Sequence, residues 1–239
     1  HRSCVTDWDD DDQLRSVYYD EICDLVREVT GATHTFSNNH LRRQSEPSSG
    51  GNGPLARLMS QSRGPVIDVH NDFTESYGEG IIRTVASGGV PHTQTFGLTD
   101  AILEAGVSEQ ELRRSRMLVV NTWRAVNAEP IQRSPLAVAD RNTIARGSLV
   151  SILVGEIPCG QPRGGLEIYN SRYDPLHKWY YYPGMSRDEV LMWKGYDSAE
   201  VPARPNLHSS FDDPNTPGQA AERKSIEVRV LCLLPNPES

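Results

Sequence analysis

The chain has 239 residues, 37% of them apolar, which is enough for one sizeable core and too few for two comfortable domains. A formal net charge of -8 argues against a nucleic-acid or anionic-membrane partner, because a phosphate-binding face needs a basic excess. No run approaches the roughly 20 consecutive apolar residues that cross a bilayer, and His1-Arg2-Ser3 opens no signal-peptide pattern. A start on His1 instead of Met reads as a fragment. The four cysteines, Cys4, Cys23, Cys159 and Cys232, lack any Cys-x-x-Cys spacing, so reduced thiols in a cytoplasmic protein are expected.

In chain order, the acidic run Asp9 to Asp12 precedes a stripe of Leu14, Val17, Tyr18, Ile22, Leu25, Val26 and Val29 at helical spacing, closed by Gly31. This predicts a capped helix whose positive end faces the aspartates. Residues 44–64 are rich in Ser, Gly, Asn and Pro and read as a surface loop. Asp100 to Ser115 reads as a second helix. Short β-type runs follow at Met117–Trp123, Leu136–Ala139, Leu149–Val154, Leu166–Tyr169, Trp179–Tyr182, Val190–Tyr196 and Ile226–Leu234, and Val66–Val69 supplies an eighth. Many short strands behind N-terminal helices predict a mainly β chain with flanking helices and a jelly-roll core. The expected layout is a single catalytic domain over 1–239, with a helical flank over about 1–65 and a β core over about 66–235.

The strand Val66 to Asp72 carries the first chemistry. Alternation along a strand sends His70 and Asp72 to one face, where an imidazole and a carboxylate can share a divalent metal. Such a pair is not specific alone. A jelly roll lays its early and late strands side by side, so His208 can complete a site with two imidazoles and one carboxylate, which holds Fe(II) by one face and leaves positions open. A turn cap is the other role open to His208. On the last strand, Arg223, Ser225, Glu227 and Arg229 share a face opposite Ile226 and Val228. Two inward guanidiniums need an anionic partner, either a dicarboxylate ligand or, for Arg229 and Arg223 alike, a structural pair with Glu227 or an aspartate.

Several blocks in order, among them Thr30-Gly31-Ala32, His40-Leu41-Arg42-Arg43, Val69-His70-Asn71-Asp72, Asn121-Thr122-Trp123-Arg124, His177-Lys178-Trp179-Tyr180-Tyr181, Phe211-Asp212-Asp213-Pro214 and Arg223-Lys224-Ser225-Ile226-Glu227-Val228-Arg229, resemble a known family. It is the hydroxylase/desaturase family of microbial, largely fungal, secondary metabolism, which includes the AsaB-like hydroxylases, the small subunit of cephamycin methoxylation and endoperoxide-forming oxidases. The resemblance runs from about residue 8 to 234. It implies a double-stranded β-helix of cupin type and a non-haem Fe(II) enzyme with 2-oxoglutarate and O2 as co-substrates. It also implies His70, Asp72 and His208 as metal ligands, and Arg223, Ser225 or Arg229 for the far carboxylate of 2-oxoglutarate. Trp123, Arg124, His177, Trp179 and Tyr180 are candidates for a substrate wall, with core packing or a salt bridge as the alternative for each. The expected partner is a small secondary-metabolite or amino-acid-derived substrate, and a homodimer stays open. Two other readings remain: a cupin-type metalloenzyme independent of 2-oxoglutarate, and a non-catalytic partner subunit.

Overall fold

The N-terminal helix begins where its sequence promises, on an aspartate. In the computed structural model, which describes residues 1–37, 39–44, 64–88, 98–154 and 166–235, Asp10 accepts from the backbone N–H groups of Asp12 and Gln13. A first turn α1 (Asp11–Gln13) runs through a π-helical stretch, Leu14–Tyr18, into α2 (Tyr19–Thr30). The helix stops at Gly31, whose φ of +71 lets its N–H close on the Arg27 carbonyl. Leu14, Tyr18, Ile22 and Val26 form the buried stripe and pack on Leu118, Val120, Ile226, Val228, Val230 and Cys232.

Among the described residues, eleven antiparallel strands form two facing sheets. They are β1 (His34–Phe36), β2 (His40–Gln44), β3 (His70–Asn71), β4 (Ser115–Ala125), β5 (Leu136–Ala139), β6 (Leu149–Val154), β7 (Leu166–Ser171), β8 (Trp179–Tyr181), β9 (Leu191–Asp197), β10 (His208–Ser210) and β11 (Lys224–Pro235). The first sheet runs β1-β11-β4-β9, with β2 also on β11; the second runs β6-β7-β3-β10-β5-β8. This is the expected jelly-roll architecture, without closure into a barrel.

Three corrections come with it. The helix expected over Asp100 to Ser115 is two, α4 (Leu98–Glu104) and α5 (Glu109–Arg114). Gly106 at φ +71 breaks them and Ser108 caps the second by accepting from the Glu111 N–H. A further helix, α3 (Tyr77–Ala86), was not anticipated. The strand expected from Val66 shrinks to His70–Asn71, because the Val66 carbonyl goes to the Ser210 N–H, the Ile67 carbonyl to the Ser209 hydroxyl and the Asp68 carbonyl to His70 Nδ1. Most of the 44–64 loop and Cys159 lie outside the described residues.

The inner face of β11 is divided along its length. Ser225, Glu227 and Arg229 line one part, whereas Leu231 and Leu233 line the next and pack with Ile81, Ile102 and Leu112 of α3 to α5. The helices therefore fill one end of the space between the sheets, and the polar groups of β11 face the other, beside a smaller apolar cluster that includes Trp123, Leu136, Leu191 and Trp193.

At the end of β9, Asp197 is bound by Arg116 at 2.6 Å and Lys194 at 2.9 Å. Burial would raise its carboxyl, but these two cations outweigh burial and hold it down to about 2. Its contribution is full above the unfolded carboxyl range and is lost as pH falls through about 2, roughly 2 kcal/mol in all. Asp197→Asn should therefore lower stability at neutral pH and flatten the acid limb of a urea-midpoint profile between pH 5 and 2; an unchanged acid limb would remove this account.

Candidate metal centre and its arginine face

The centre is built by register. In the second sheet His208 on β10 lies directly opposite both His70 on β3 and Val138 on β5, and residues directly opposite share a face. The two imidazoles stand side by side, ring centroids 4.3 Å apart. Asp72, two residues beyond His70, turns to the same side with Oδ1 3.7 Å from His70 Nε2. One donor atom from each of the three residues lies within 4.8 Å of the others, and all three residues are buried.

Each imidazole offers Nε2. His70 Nδ1 is 2.7 Å from the Asp68 carbonyl and must carry the proton it donates, which leaves the Nε2 lone pair free to point inward. His208 Nε2 is buried with no hydrogen-bond partner among the described residues. Burial, reinforced by the adjacent His70, pushes His208 down to about 3, so the ring is neutral and its lone pair available. Two imidazole nitrogens and one carboxylate oxygen, with a buried polar atom that lacks a partner among the described residues, suit a divalent cation.

The carboxylate is set from the opposite sheet. Asp72 Oδ2 accepts from Arg229 Nε at 3.0 Å and from Asn121 Nδ2 at 2.5 Å. The same two donors reach Glu227 Oε1, Arg229 Nη2 at 3.0 Å and Asn121 Nδ2 at 3.2 Å. Burial alone would raise Asp72, yet Arg229 and the imidazoles hold it well below the carboxylate range. Burial would equally lower Arg229, and the carboxylates of Asp72 and Glu227 hold it above its ordinary value instead. Of the two arginines, Arg229 is therefore committed to the structural pairing considered for it.

Arg223 sits differently. Its Nη1 donates to the Ser134 carbonyl at 2.7 Å and to Ser210 Oγ at 3.2 Å, so its guanidinium lies against the strand that carries His208, two residues along. Ser134 holds φ at 48, a left-handed conformation for a non-glycine residue, and its carbonyl also accepts from Ser210 Oγ. The Trp123 ring lies 5.6 Å from the guanidinium carbon. Burial, then the nearby charge of Arg43, pushes Arg223 down to about 9. Beside it Ser225 is 1% exposed and its hydroxyl has no hydrogen-bond partner among the described residues.

Other candidates fall elsewhere. Arg124 is a correction: alternation along β4 turns Asn121 and Trp123 toward the metal centre and Arg124 away. Its Nη2 meets His1 Nδ1 at 2.7 Å, and its guanidinium lies over Trp8 and Tyr18. His177 precedes β8, with Nε2 3.4 Å from Ser148 Oγ. Tyr180 is opposite Val138, so it joins the face of the two imidazoles, and at 55% exposure it forms an outer lip; Trp179 points to the other face. Sequence reasoning missed four residues. Asn121 orients Asp72, and Trp193 lies 4.8 Å from the His208 ring. Asn170, opposite His70 on β7, has a buried Oδ1 without a hydrogen-bond partner among the described residues, and Arg43 is opposite Ser225 on β2. Only Asn121, a polar residue inside an apolar strand, left a signal readable without the pairing.

Comparisons with known proteins agree with this geometry. A family model described as an oxidoreductase/YMDC permease-like domain matches residues 1–233. The hydroxylase/desaturase efuI of Hormonema carpetanum is 31% identical, covering 94% of this chain and 72% of the relative. The Fe(II)/2-oxoglutarate-dependent dioxygenase nvfI of Aspergillus novofumigatus is 29% identical over 94% of this chain and 69% of its own. A solved structure of the iron and alpha-ketoglutarate-dependent endoperoxidase NvfI superposes with a TM-score of 0.73 at 27% identity, covering 95% of this chain and 70% of that one. The chain belongs to this oxidoreductase family of hydroxylases and desaturases. Among the described residues, no helix is long and apolar enough to cross a membrane.

Arg229→Met should leave Asp72 and Glu227 buried without their cation, lowering stability by about 3 to 5 kcal/mol in chemical denaturation. Asn121→Ala, which keeps that cation, should weaken Fe(II) or Mn(II) binding roughly 10- to 100-fold by calorimetry. Wild-type metal affinity in Asn121→Ala would mean that the amide does not orient the carboxylate.

Proposed function

We propose that the chain is an Fe(II)/2-oxoglutarate-dependent dioxygenase of secondary metabolism that oxidises a small organic substrate, with His70, Asp72 and His208 as the metal ligands. The observation that carries the reading is the convergence of these three buried donors, one of them a neutral His208 nitrogen with no hydrogen-bond partner among the described residues. The names of the similar proteins, which include a hydroxylase/desaturase and an endoperoxidase, support the class of chemistry.

Iron bound there would supply oxygen activation coupled to decarboxylation of 2-oxoglutarate to succinate and CO2. The remaining work falls to side chains. Arg229 and Asn121 hold one oxygen of Asp72, which keeps the other directed at the imidazoles. Asp68, through its carbonyl, fixes the tautomer of His70. Arg223 and Ser225 receive the far carboxylate of the co-substrate: the guanidinium supplies charge and direction, and the hydroxyl acquires its missing partner. Trp123 packs on Arg223 and keeps water from it. Substrate enters beside the imidazole pair, past Tyr180, and lies near Asn170. The outcome, whether hydroxylation, desaturation or ring or peroxide formation, follows from which substrate hydrogen faces the metal.

His70→Ala or His208→Ala should lose both iron retention and succinate formation; a variant keeping both at wild-type level would sink the ligand assignment. Arg223→Met should raise the KM for 2-oxoglutarate about 10- to 100-fold, the loss of a charge-assisted pair, whereas an unchanged KM would place the far carboxylate elsewhere.

A further inference from the structure

We propose that a cavity at the start of the first sheet is a second binding site, which takes a small metabolite through a carboxylate or phosphate group and anchors it on Arg187. It stands apart from the metal and co-substrate readings, since none of the three candidate metal ligands lines this cavity.

The cavity lies where β2 ends and β11 begins, against the segment before α1 and the loop between β8 and β9. Its volume is about 210 Å³. That is far above the roughly 10 to 15 Å³ that admits one water. Two cations of its wall belong to the outer face of the sheet: Arg42 is opposite Ile226, which packs under α2, and Lys224 is two residues before Ile226. Both are already served by carboxylates. Arg42 is 2.7 Å from Asp11 and 3.8 Å from Asp9, and Lys224 is 3.9 Å from Asp9. Asp7, the other carboxylate of the wall, accepts from the Asp9 N–H.

Arg187, also on the wall, has no such partner. Its Nη2 donates to the Val126 carbonyl at 2.8 Å, and among the described residues its guanidinium makes no other hydrogen bond and no ion pair. A planar fork of donors held by one backbone carbonyl keeps its capacity for bidentate recognition of an oxyanion. A second observation comes from Trp8, another wall residue, which is 7% exposed and whose Nε1 has no hydrogen-bond partner among the described residues. The guanidinium of Arg124 lies over this ring at 5.6 Å. It is wholly buried, its Nε and Nη1 lack hydrogen-bond partners, and it makes no ion pair among the described residues. Two guanidiniums without a carboxylate therefore stand at this cavity, one on its wall and one against a wall residue. Cations withdrawn from water favour an anion brought close to them, and the volume suits one larger than a halide.

The test titrates the 239-residue chain with inorganic phosphate and, separately, with propane-1,2,3-tricarboxylate, by calorimetry at an ionic strength held constant with potassium chloride. At least one of the two should bind at a single site, and the anion that binds tells which group the cavity reads. Arg187→Gln should weaken that binding about 10- to 100-fold, the loss of a charge-assisted fork. Arg187→Lys, which keeps the charge without the fork, should weaken it less, and it serves alone if the glutamine variant does not fold. The Trp8 indole N–H resonance, assigned through Trp8→Phe, should move on saturation. Absence of binding by both anions, undiminished affinity in the Arg187 variants, an unmoved Trp8 resonance, or a loss in Arg223→Met that the Arg187 variants do not reproduce would each overturn the site.

Discussion

One buried carboxylate ties the two sheets together. Asp72 follows β3 in the second sheet, and its Oδ2 is held by Arg229 and Asn121, which project from β11 and β4 of the first. A carboxylate removed from water is tolerated only with such compensation, so the spacing of the sheets and the aim of the ligand oxygen are set by the same contacts. The imidazoles are fixed by different means, a cross-strand register and a backbone carbonyl for His70. The three side chains are thereby held together by contacts within the protein, which limits the reorganisation that metal binding would require.

The division of β11 explains where the chemistry can take place. Over its first residues the inner face is Ser225, Glu227 and Arg229; beyond them it is Leu231 and Leu233, covered by α3 to α5. On the outer face, Ile226, Val228, Val230 and Cys232 are covered by α2 throughout. A single twelve-residue strand therefore carries the core on one side and, on the other, a cationic face that grades into a second core. Gly195 on β9 is fitted to this crowding. A Cβ there would collide with Asn121 Oδ1 and come within 2.8 Å of the Phe73 ring, so the close approach behind the ligand aspartate excludes any side chain.

Much of this was legible because a strand alternates. His70 with Asp72, and Arg223 with Ser225 and Arg229, were placed on shared faces without any knowledge of pairing. Where local signals met competing contacts, the reading failed. The strand before His70 was overestimated since its carbonyls are drawn off by Ser209, Ser210 and His70 itself, and the Asp100 to Ser115 helix was read through a glycine whose left-handed turn ends it. Arg124 was placed with Trp123 although neighbours on a strand must face opposite ways. The partners, Asn121 for Asp72, Trp193 for His208 and Arg43 for Ser225, are set by contacts between segments 15 to 182 residues apart, which no local pattern encodes.

The row across the second sheet places its fixed and its adaptable parts at different depths. His70 and His208 occupy central strands, flanked on both sides, whereas Tyr180 belongs to β8, which among the described residues pairs only with β5. A border strand accepts new side chains with little disturbance, because half of its backbone groups face solvent and its packing is one-sided. Under the proposed function, exchanges at Tyr180 would reshape the approach to the imidazole pair while the three candidate ligands stay intact, a division of labour by which one scaffold could diversify its chemistry across many natural products without having to reinvent its catalyst.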